Sequence, residues 1–554
     1  MPSDAFTRAP DHSTAAELGK QYHHGFASDG EAAESSSEDG YLSSAEYAAQ
    51  VAQTDNSPEA LQLEYSHPLE AWAAKKHVRW LLKRLTSDDR HGRTMLEKVI
   101  SSYRNPQAPS RHRAIFWLMH KLIDRFRGST DPEVFREKLA ENRAVLQGVV
   151  LTARSLAEFG PSTPQRFSFP LFAVWNFTNA CNLACRHCYQ DSDHDCLANE
   201  LTLEEKLQAV DQMGRAHMPM LALSGGEPTI SKHLLPVIER ASGYGMHISL
   251  ATNGTTMTRE YAANLRKAGL RYVEISLDST DPERHDLFRG GPGMWERTVQ
   301  GMRNVIATEG LRLGVAMCVH QGNLHEVEDM IRFAEDIGAD AFAHFNFIPV
   351  GRGLKMVSGD ITPSQREELL ALLNRKMQED GIGIISTAPQ LGRVCLAGAA
   401  LESGKVTCSH AGSGSGVKAR VVAKYLGGCG AGRTYVCIEP DGNVTPCVYL
   451  PHRVMGNLRD RPLAEIYRDG VFWDVLNNRD ERLHHCRVCS YKEYCGGCRA
   501  RADAYFGQLH AGDPGCVFNE KHWEKLVADG VAVDEGAPAR AEDLNLSATR
   551  CGPG

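Results

Sequence analysis

Downstream of residue 165 short apolar runs alternate with amphipathic stretches. Leu171–Phe177, Met220–Leu223, His247–Thr252, Arg271–Leu277, Leu313–Val319 and Phe342–Ile348 read as strands. Between them Thr202–Ala216, Ser231–Tyr244, Arg259–Ala268, Trp295–Thr308 and Leu324–Ile337 place apolar residues at helical spacing. Six such βα repeats predict a parallel sheet, since parallel neighbours need crossover connections. The pattern fits an open sheet and a curved partial barrel equally well. A helix over Thr362–Glu379 and a strand over Ile382–Ser386 follow. Upstream, Leu69, Trp72, Val78, Leu81, Leu82 and Leu85 recur at helical spacing. A second helix is expected from Arg111 to Arg127, and a third from the cap Thr130-Asp-Pro-Glu through Val145 and Leu146. Residues 1–65 are rich in Ser, Ala, Asp and Glu without periodicity and read as disordered.

The expected units are therefore a tail (1–65), a helical region (66–160), the βα region (165–390), a Cys- and Gly-rich region (395–525) and a flexible end (526–554). A chain of 554 residues has room for that many, and 42% apolar residues suffice for a real core. The net charge is −8, from 61 Lys and Arg against 69 Asp and Glu, so the whole chain lacks the polybasic signature of a nucleic-acid partner. Between Glu70 and Arg127 bases outnumber acids fourteen to five, which reads as a solvated helical face. No apolar run has the length of a membrane span, and the start has no basic n-region or apolar h-region. A soluble, cytoplasmic chain is expected.

Cysteine changes the picture. There are 16, and they are clumped, whereas structural thiols scatter with the core. Cys181, Cys185 and Cys188 form CX3CX2C directly after the first strand, at the end where parallel sheets bind ligands. Three thiolates on a short loop can hold three irons of a four-iron cluster and leave the fourth open. The bland alternative is zinc borrowing a distant fourth ligand, although zinc favours CX2–4C pairs.

This loop resembles that of the radical S-adenosylmethionine (radical SAM) superfamily, and later segments agree. Ser224-Gly-Gly-Glu-Pro228 after the second strand is similar to the family's GGE motif. In that motif Gly225 and Gly226 give close backbone approach and Glu227 faces the methionine ammonium. Asn253, in Ala251-Thr-Asn-Gly254, and Ser276 with Asp278 end strands three and four, where the family contacts the methionine carboxylate or the ribose. Asn346 and Pro349-Val-Gly-Arg352 match the family's substrate or cofactor edge, and His187 stands where an aromatic residue is usual. The resemblance covers residues 170–350. It implies a partial (β/α)6 TIM-like barrel and reductive cleavage of S-adenosylmethionine to a 5′-deoxyadenosyl radical that abstracts hydrogen from a substrate. It also implies an electron donor such as flavodoxin or ferredoxin.

A second field runs Cys429-X12-Gly442-X4-Cys447, then Cys486-X2-Cys489-X5-Cys495-X2-Cys498-X17-Cys516. It resembles the SPASM extension of radical enzymes, which carries one or two auxiliary [4Fe–4S] clusters. The departure is Cys495-Gly-Gly-Cys498, two residues where the family has three. The resemblance assigns Cys429, Cys447 and Cys498 to one cluster and Cys486, Cys489, Cys495 and Cys516 to the other. The spacing CX2CX5CX2C is short for paired zinc ribbons. Cys437 and Cys408 compete as a fourth ligand to the first cluster with a non-cysteine or open site. Pro440-Asp-Gly-Asn443 signals a hairpin. A two-residue turn would set residue 436 opposite 447 and turn Cys437 to the other face. Relatives of this kind modify peptides or proteins, or build haem-type cofactors. The alternatives from other classes are an iron–sulfur carrier or scaffold without catalysis and a zinc-stabilised binding protein.

Overall fold

The computed structural model describes residues 68–104, 116–117, 120–121, 123–124, 142–379, 381–398, 404–407 and 413–532. Six strands run in chain order through a parallel sheet: β1 (Phe172–Asn176), β2 (Met220–Ser224), β3 (His247–Thr252), β4 (Tyr272–Ser276), β5 (Arg312–Val319) and β6 (Ala341–Asn346). A parallel β7 (Gly383–Ser386) continues the sheet beyond β6. The helices between them are locally specified. Thr202 and Thr362 form capping boxes with Glu205 and Gln365, while Gly245, Gly290 and Gly338 end helices in left-handed conformation.

One face of each strand packs under the helices, through Leu221, Leu223, Ile248, Leu250, Val273, Ile275, Val315 and Phe342. The other face carries small or polar groups such as Ser224, Ala251, Glu274, Ser276, Gly314 and Ala316, several of which line an internal cavity. Parallel strands covered on both faces read as continuous apolar runs. The alternation here is the mark of a hollow interior, and the fold is a partial (β/α)6 barrel.

The chain then returns to the opposite edge. β10 (Tyr435–Ile438) pairs parallel to β1, with Phe172 opposite Tyr435. The antiparallel β11 (Asn443–Thr445) and β12 (Gly456–Asn457) extend the sheet to ten strands. A small hairpin of β8 (Lys405–Thr407) and β9 (Ser413–Ser415) lies outside it.

Several expectations need correction. The first apolar pattern is two helices, Pro68–Ala73 and Lys76–Leu85, and a further helix, Met95–Arg104, follows. Val145 and Leu146 lie on Arg143–Phe159, capped by Asn142; the start expected at Thr130 lies outside the described residues. So do residues 1–65, Cys408 and most of the expected end segment. The hairpin register is also shifted. Cys437 faces Thr445 and Glu439 donates its backbone to Asn443, so the loop has three residues, with Gly442 left-handed (φ 88°). One residue reverses the side-chain parity. Cys437 therefore shares a face with Cys447.

Candidate active site

The loop after β1 is built before any ligand enters. Glu200 accepts from Asn179 N–H (2.7 Å) and the Thr178 hydroxyl (3.1 Å), and Cys181 N–H donates to Asp193 (2.6 Å). Arg352 reaches over from the segment after β6. Its guanidinium donates to the Cys185 carbonyl (3.0 Å) and the Ser192 carbonyl (2.5 Å), and its backbone donates to Cys188 (2.9 Å). Gly351 (φ 58°) makes this possible, because a Cβ there would lie 2.5 Å from the Tyr189 carbonyl. The Pro349–Arg352 segment thus clamps the cysteine loop. Burial pushes the Cys181 thiol up to about 12 and raises Cys185 too, where Arg289 opposes the rise.

The Gly225-Gly226 turn presses against the base of the same loop. Gly226 N–H donates to Thr178 (2.8 Å) and Glu227 N–H to Ala180 (2.8 Å). A Cβ on Gly226 would meet the Ala180 carbonyl at 2.2 Å, so any other residue displaces the loop. The Glu227 side chain is directed behind the cavity wall. It accepts from Thr229 N–H (3.0 Å), the Thr229 and Thr252 hydroxyls (2.5 and 2.7 Å) and Asn253 N–H (2.8 Å). Burial raises its pKa against the pull of these donors. Its carboxyl ties the ends of β2 and β3 together. Pro228 opens the buried 3-10 turn that follows.

These elements surround one cavity of about 140 Å³, lined by Cys181, Cys185, Cys188, Gly225, Gly226, Asn253 and Ser276. Asp278 stands behind the wall. Burial alone would raise its carboxyl, but Arg289 and then His187 hold it down at about 2. Arg289 donates to it at 2.6 and 2.7 Å and to the Cys185 sulfur at 3.7 Å. Arg289 was not anticipated. It ends the helix Pro282–Arg289, whose charged sequence hides its periodicity, and only the Gly290-Gly291 stop signals it. The His187 ring stacks on Phe288 (4.6 Å, 2°), which stacks on His320 (4.6 Å). Burial lowers the His187 pKa to about 3, so the ring is neutral.

Glu274 is the second unanticipated residue. It lines the cavity two positions below Ser276 on β4, between Ala251 and Gly314 of the neighbouring strands. Burial raises its carboxyl to about 7. An acid whose folded pKa is raised binds more protons folded than unfolded, so stability falls as pH rises from about 4.5 to about 7. Glu274→Gln is therefore expected to flatten the fall in Tm over that window and to exceed the parent in Tm at pH 8. Thermal melts from pH 5 to 8 check this; identical profiles would contradict the reading.

Residues 175–334 match the radical SAM superfamily and residues 429–490 match the SPASM iron–sulfur cluster-binding domain. An AdoMet-dependent heme synthase of Methanosarcina barkeri is 32% identical over 350 residues, 63% of this chain and 97% of that protein. The chain belongs to the radical SAM superfamily and carries a SPASM domain. A PqqA peptide cyclase of Bradyrhizobium diazoefficiens is 25% identical over 370 residues, 65% of this chain and 90% of that protein. The crystal structure of Streptococcus suis SuiB aligns over 76% of this chain and 93% of that chain at TM-score 0.54; at 13% identity this shows the fold alone. The cofactors of this radical SAM/SPASM chain are accordingly [4Fe–4S] clusters and S-adenosylmethionine.

The SPASM unit sorts its thiols into two groups. Burial raises Cys498, with Asp513, Cys429 and Cys447 adding, and the Tyr435 hydroxyl donates to the Cys447 sulfur at 2.9 Å. Cys486, Cys489, Cys495 and Cys516 line a separate pocket with Arg393. Cys437 is buried beside Cys447, with Glu439 3.4 Å from its sulfur. The unit also reaches the active cavity: Tyr449 lines it and meets Tyr189 edge-on at 5.1 Å.

The donor sets fit iron–sulfur clusters. Cys181, Cys185 and Cys188 line one cavity, Cys486, Cys489, Cys495 and Cys516 line another, and iron–sulfur clusters are held by such sets of cysteine thiolates.

Proposed function

We propose that this radical SAM/SPASM chain cleaves S-adenosylmethionine reductively and takes hydrogen from a tetrapyrrole-type substrate in haem-type cofactor synthesis. The observation that carries the reading is one cavity on which the three-cysteine loop, the glycine turn, the β3 and β4 ends and a SPASM tyrosine all open. The likeness to the heme synthase across 97% of its length supports the substrate class. When bound, the cluster and S-adenosylmethionine supply the hydrogen-abstracting chemistry, with electrons delivered by a flavodoxin or ferredoxin.

In this reading Cys181, Cys185 and Cys188 hold the catalytic cluster. Asn253 and Ser276 face the cofactor, Gly225 and Gly226 shape its seat, and Glu227 and Asp278 brace the wall behind them. Cys429, Cys447 and Cys498 hold the first auxiliary cluster; Cys486, Cys489, Cys495 and Cys516 hold the second. Arg289, paired by Asp278 yet lining the cavity, is placed to meet a carboxylate. Tyr449 and the aromatic Phe345 and Phe347 wall exclude water from the reacting atoms.

Peptide modification is the second reading, supported by the likeness to the PqqA peptide cyclase. Among the described residues ahead of β1, only helices and the isolated Asp88–Thr94 bridge occur, so the strands of a peptide-binding module are not seen there. The test is anaerobic reconstitution with dithionite and S-adenosylmethionine. Slow release of 5′-deoxyadenosine is expected without substrate, with at least several-fold stimulation and a mass change when an iron coproporphyrin is added. Stimulation by a co-encoded peptide alone would favour the second reading. Stoichiometric zinc with no deoxyadenosine would overturn both.

A further inference from the structure

Tyr435 is buried where the SPASM unit joins the barrel, and its hydroxyl is turned onto a sulfur. The joint fixes the ring. β10 pairs parallel to β1 with Tyr435 opposite Phe172, and the two rings stack at 5.0 Å and 12°. The backbone is held on both sides. Leu171 and Phe172 N–H donate to the Thr434 carbonyl at 2.8 and 3.2 Å, and Tyr435 N–H donates to the Gly430 carbonyl at 3.3 Å. Around the ring lies an apolar cluster that includes Phe172, Ala431, Leu476, Cys447 and Cys498, with Cys429 packed against it. A phenol in such a place needs a partner for its O–H. The partner is the Cys447 sulfur, at 2.9 Å.

A neutral thiol is a weak acceptor and a poor reason to bury a phenol. A thiolate is a strong one, and the apolar surroundings strengthen the bond further. When an iron–sulfur centre is reduced, the added charge spreads onto its sulfurs. A donor fixed at one of them therefore stabilises the reduced form more than the oxidised form. The thiols of the other pocket have amide donors of their own: Asn519 Nδ2 reaches Cys486 at 3.5 Å, and Gly497 N–H reaches Cys495 at 3.4 Å.

We propose that the Tyr435 hydroxyl is a positioned donor to the iron–sulfur centre that Cys447 ligates and makes that centre easier to reduce, with Phe172 of the barrel holding the ring in place. This rests on the assignment of Cys447 as a cluster ligand under Proposed function. The first strand of the barrel thereby helps to set the potential of a centre in the SPASM unit.

The experiment is a potentiometric titration of the fully reconstituted chain, followed by electron paramagnetic resonance. The auxiliary step that disappears in Cys447→Ala belongs to the centre in question; Cys429→Ala marks the same step if Cys447→Ala does not fold. Tyr435→Phe keeps the ring and its stack on Phe172 and removes only the donor. At a fixed poise, the ratio of reduced to oxidised centre at that step should fall about five- to tenfold. The step lost in Cys489→Ala should stay where it is. Wild-type protein reconstituted in heavy water should show a deuteron coupled to the reduced Cys447 centre that is missing from Tyr435→Phe, a signature that a packing role would not move. A folded Tyr435→Phe protein whose Cys447 step keeps its potential, or whose deuteron couplings match wild type, would overturn the proposal. If no auxiliary step disappears in Cys447→Ala or Cys429→Ala, the ligand assignment itself falls, and the proposal with it.

Discussion

Replacing Cys181, Cys185 and Cys188 together by alanine is expected to remove about four of the eight to twelve irons per reconstituted chain and to abolish release of 5′-deoxyadenosine. The loop should survive the change. Its anchors are the Glu200 carboxylate, the Arg352 guanidinium and the Asp193 carbonyl, none of which uses a thiol. The apolar cluster around Cys181, Leu183 and Cys185 is small, so truncating its sulfurs leaves little cavity. Iron analysis, visible absorbance and limited proteolysis check the outcome. Auxiliary absorbance should remain with an unchanged proteolytic pattern; full iron content in the triple variant would place the lost ligands elsewhere.

Glu227→Ala should weaken S-adenosylmethionine binding by roughly ten- to a hundredfold, the scale set by the about 1–3 kcal/mol cost of leaving a buried donor without its acceptor. The route is indirect. Without the carboxyl, the N–H groups of Thr229 and Asn253 and the Thr252 hydroxyl lose their acceptor in a buried place. The Gly225-Gly226 turn and the Asn253 strand end then lose their common brace. Glu227→Gln keeps one oxygen for the threonines but turns an amide N–H2 toward Asn253 N–H, so partial recovery is expected. Anaerobic equilibrium binding beside a thermal melt checks this. A lowered Tm with unchanged affinity would show that the brace does not shape the cofactor seat.

The strands were legible because each has an apolar face of period two and a helix of period 3.6 behind it. β3 spans His247–Thr252 and the helix Arg259–Ala268 keeps its expected ends. The helix Pro282–Arg289 was not, because six of its eight residues are Pro, Glu, Arg, His, Asp and Arg, leaving Leu287 and Phe288 as its apolar signal. The same blindness hid Arg289, whose partner Asp278 lies across a loop. Motif positions pointed to the right neighbourhood for Glu227 and Asp278 but could not say which way a carboxyl turns. The hairpin misled by one residue, since Asp-Gly serves a three-residue loop with a left-handed Gly442 as well as a two-residue turn.

The parallel pairing of β10 on β1 also orders events on the ribosome. Asn176 and the Glu439 it bonds are 263 residues apart. At roughly 5–20 residues per second, synthesis of that interval takes about 13–50 s. Throughout it, the first strand of the barrel offers an unpaired backbone edge beside the cysteine loop, the kind of edge that invites association with other chains. The edge closes only once Tyr435–Ile438 has been made, so the sheet beside the cysteine loop is completed late in synthesis.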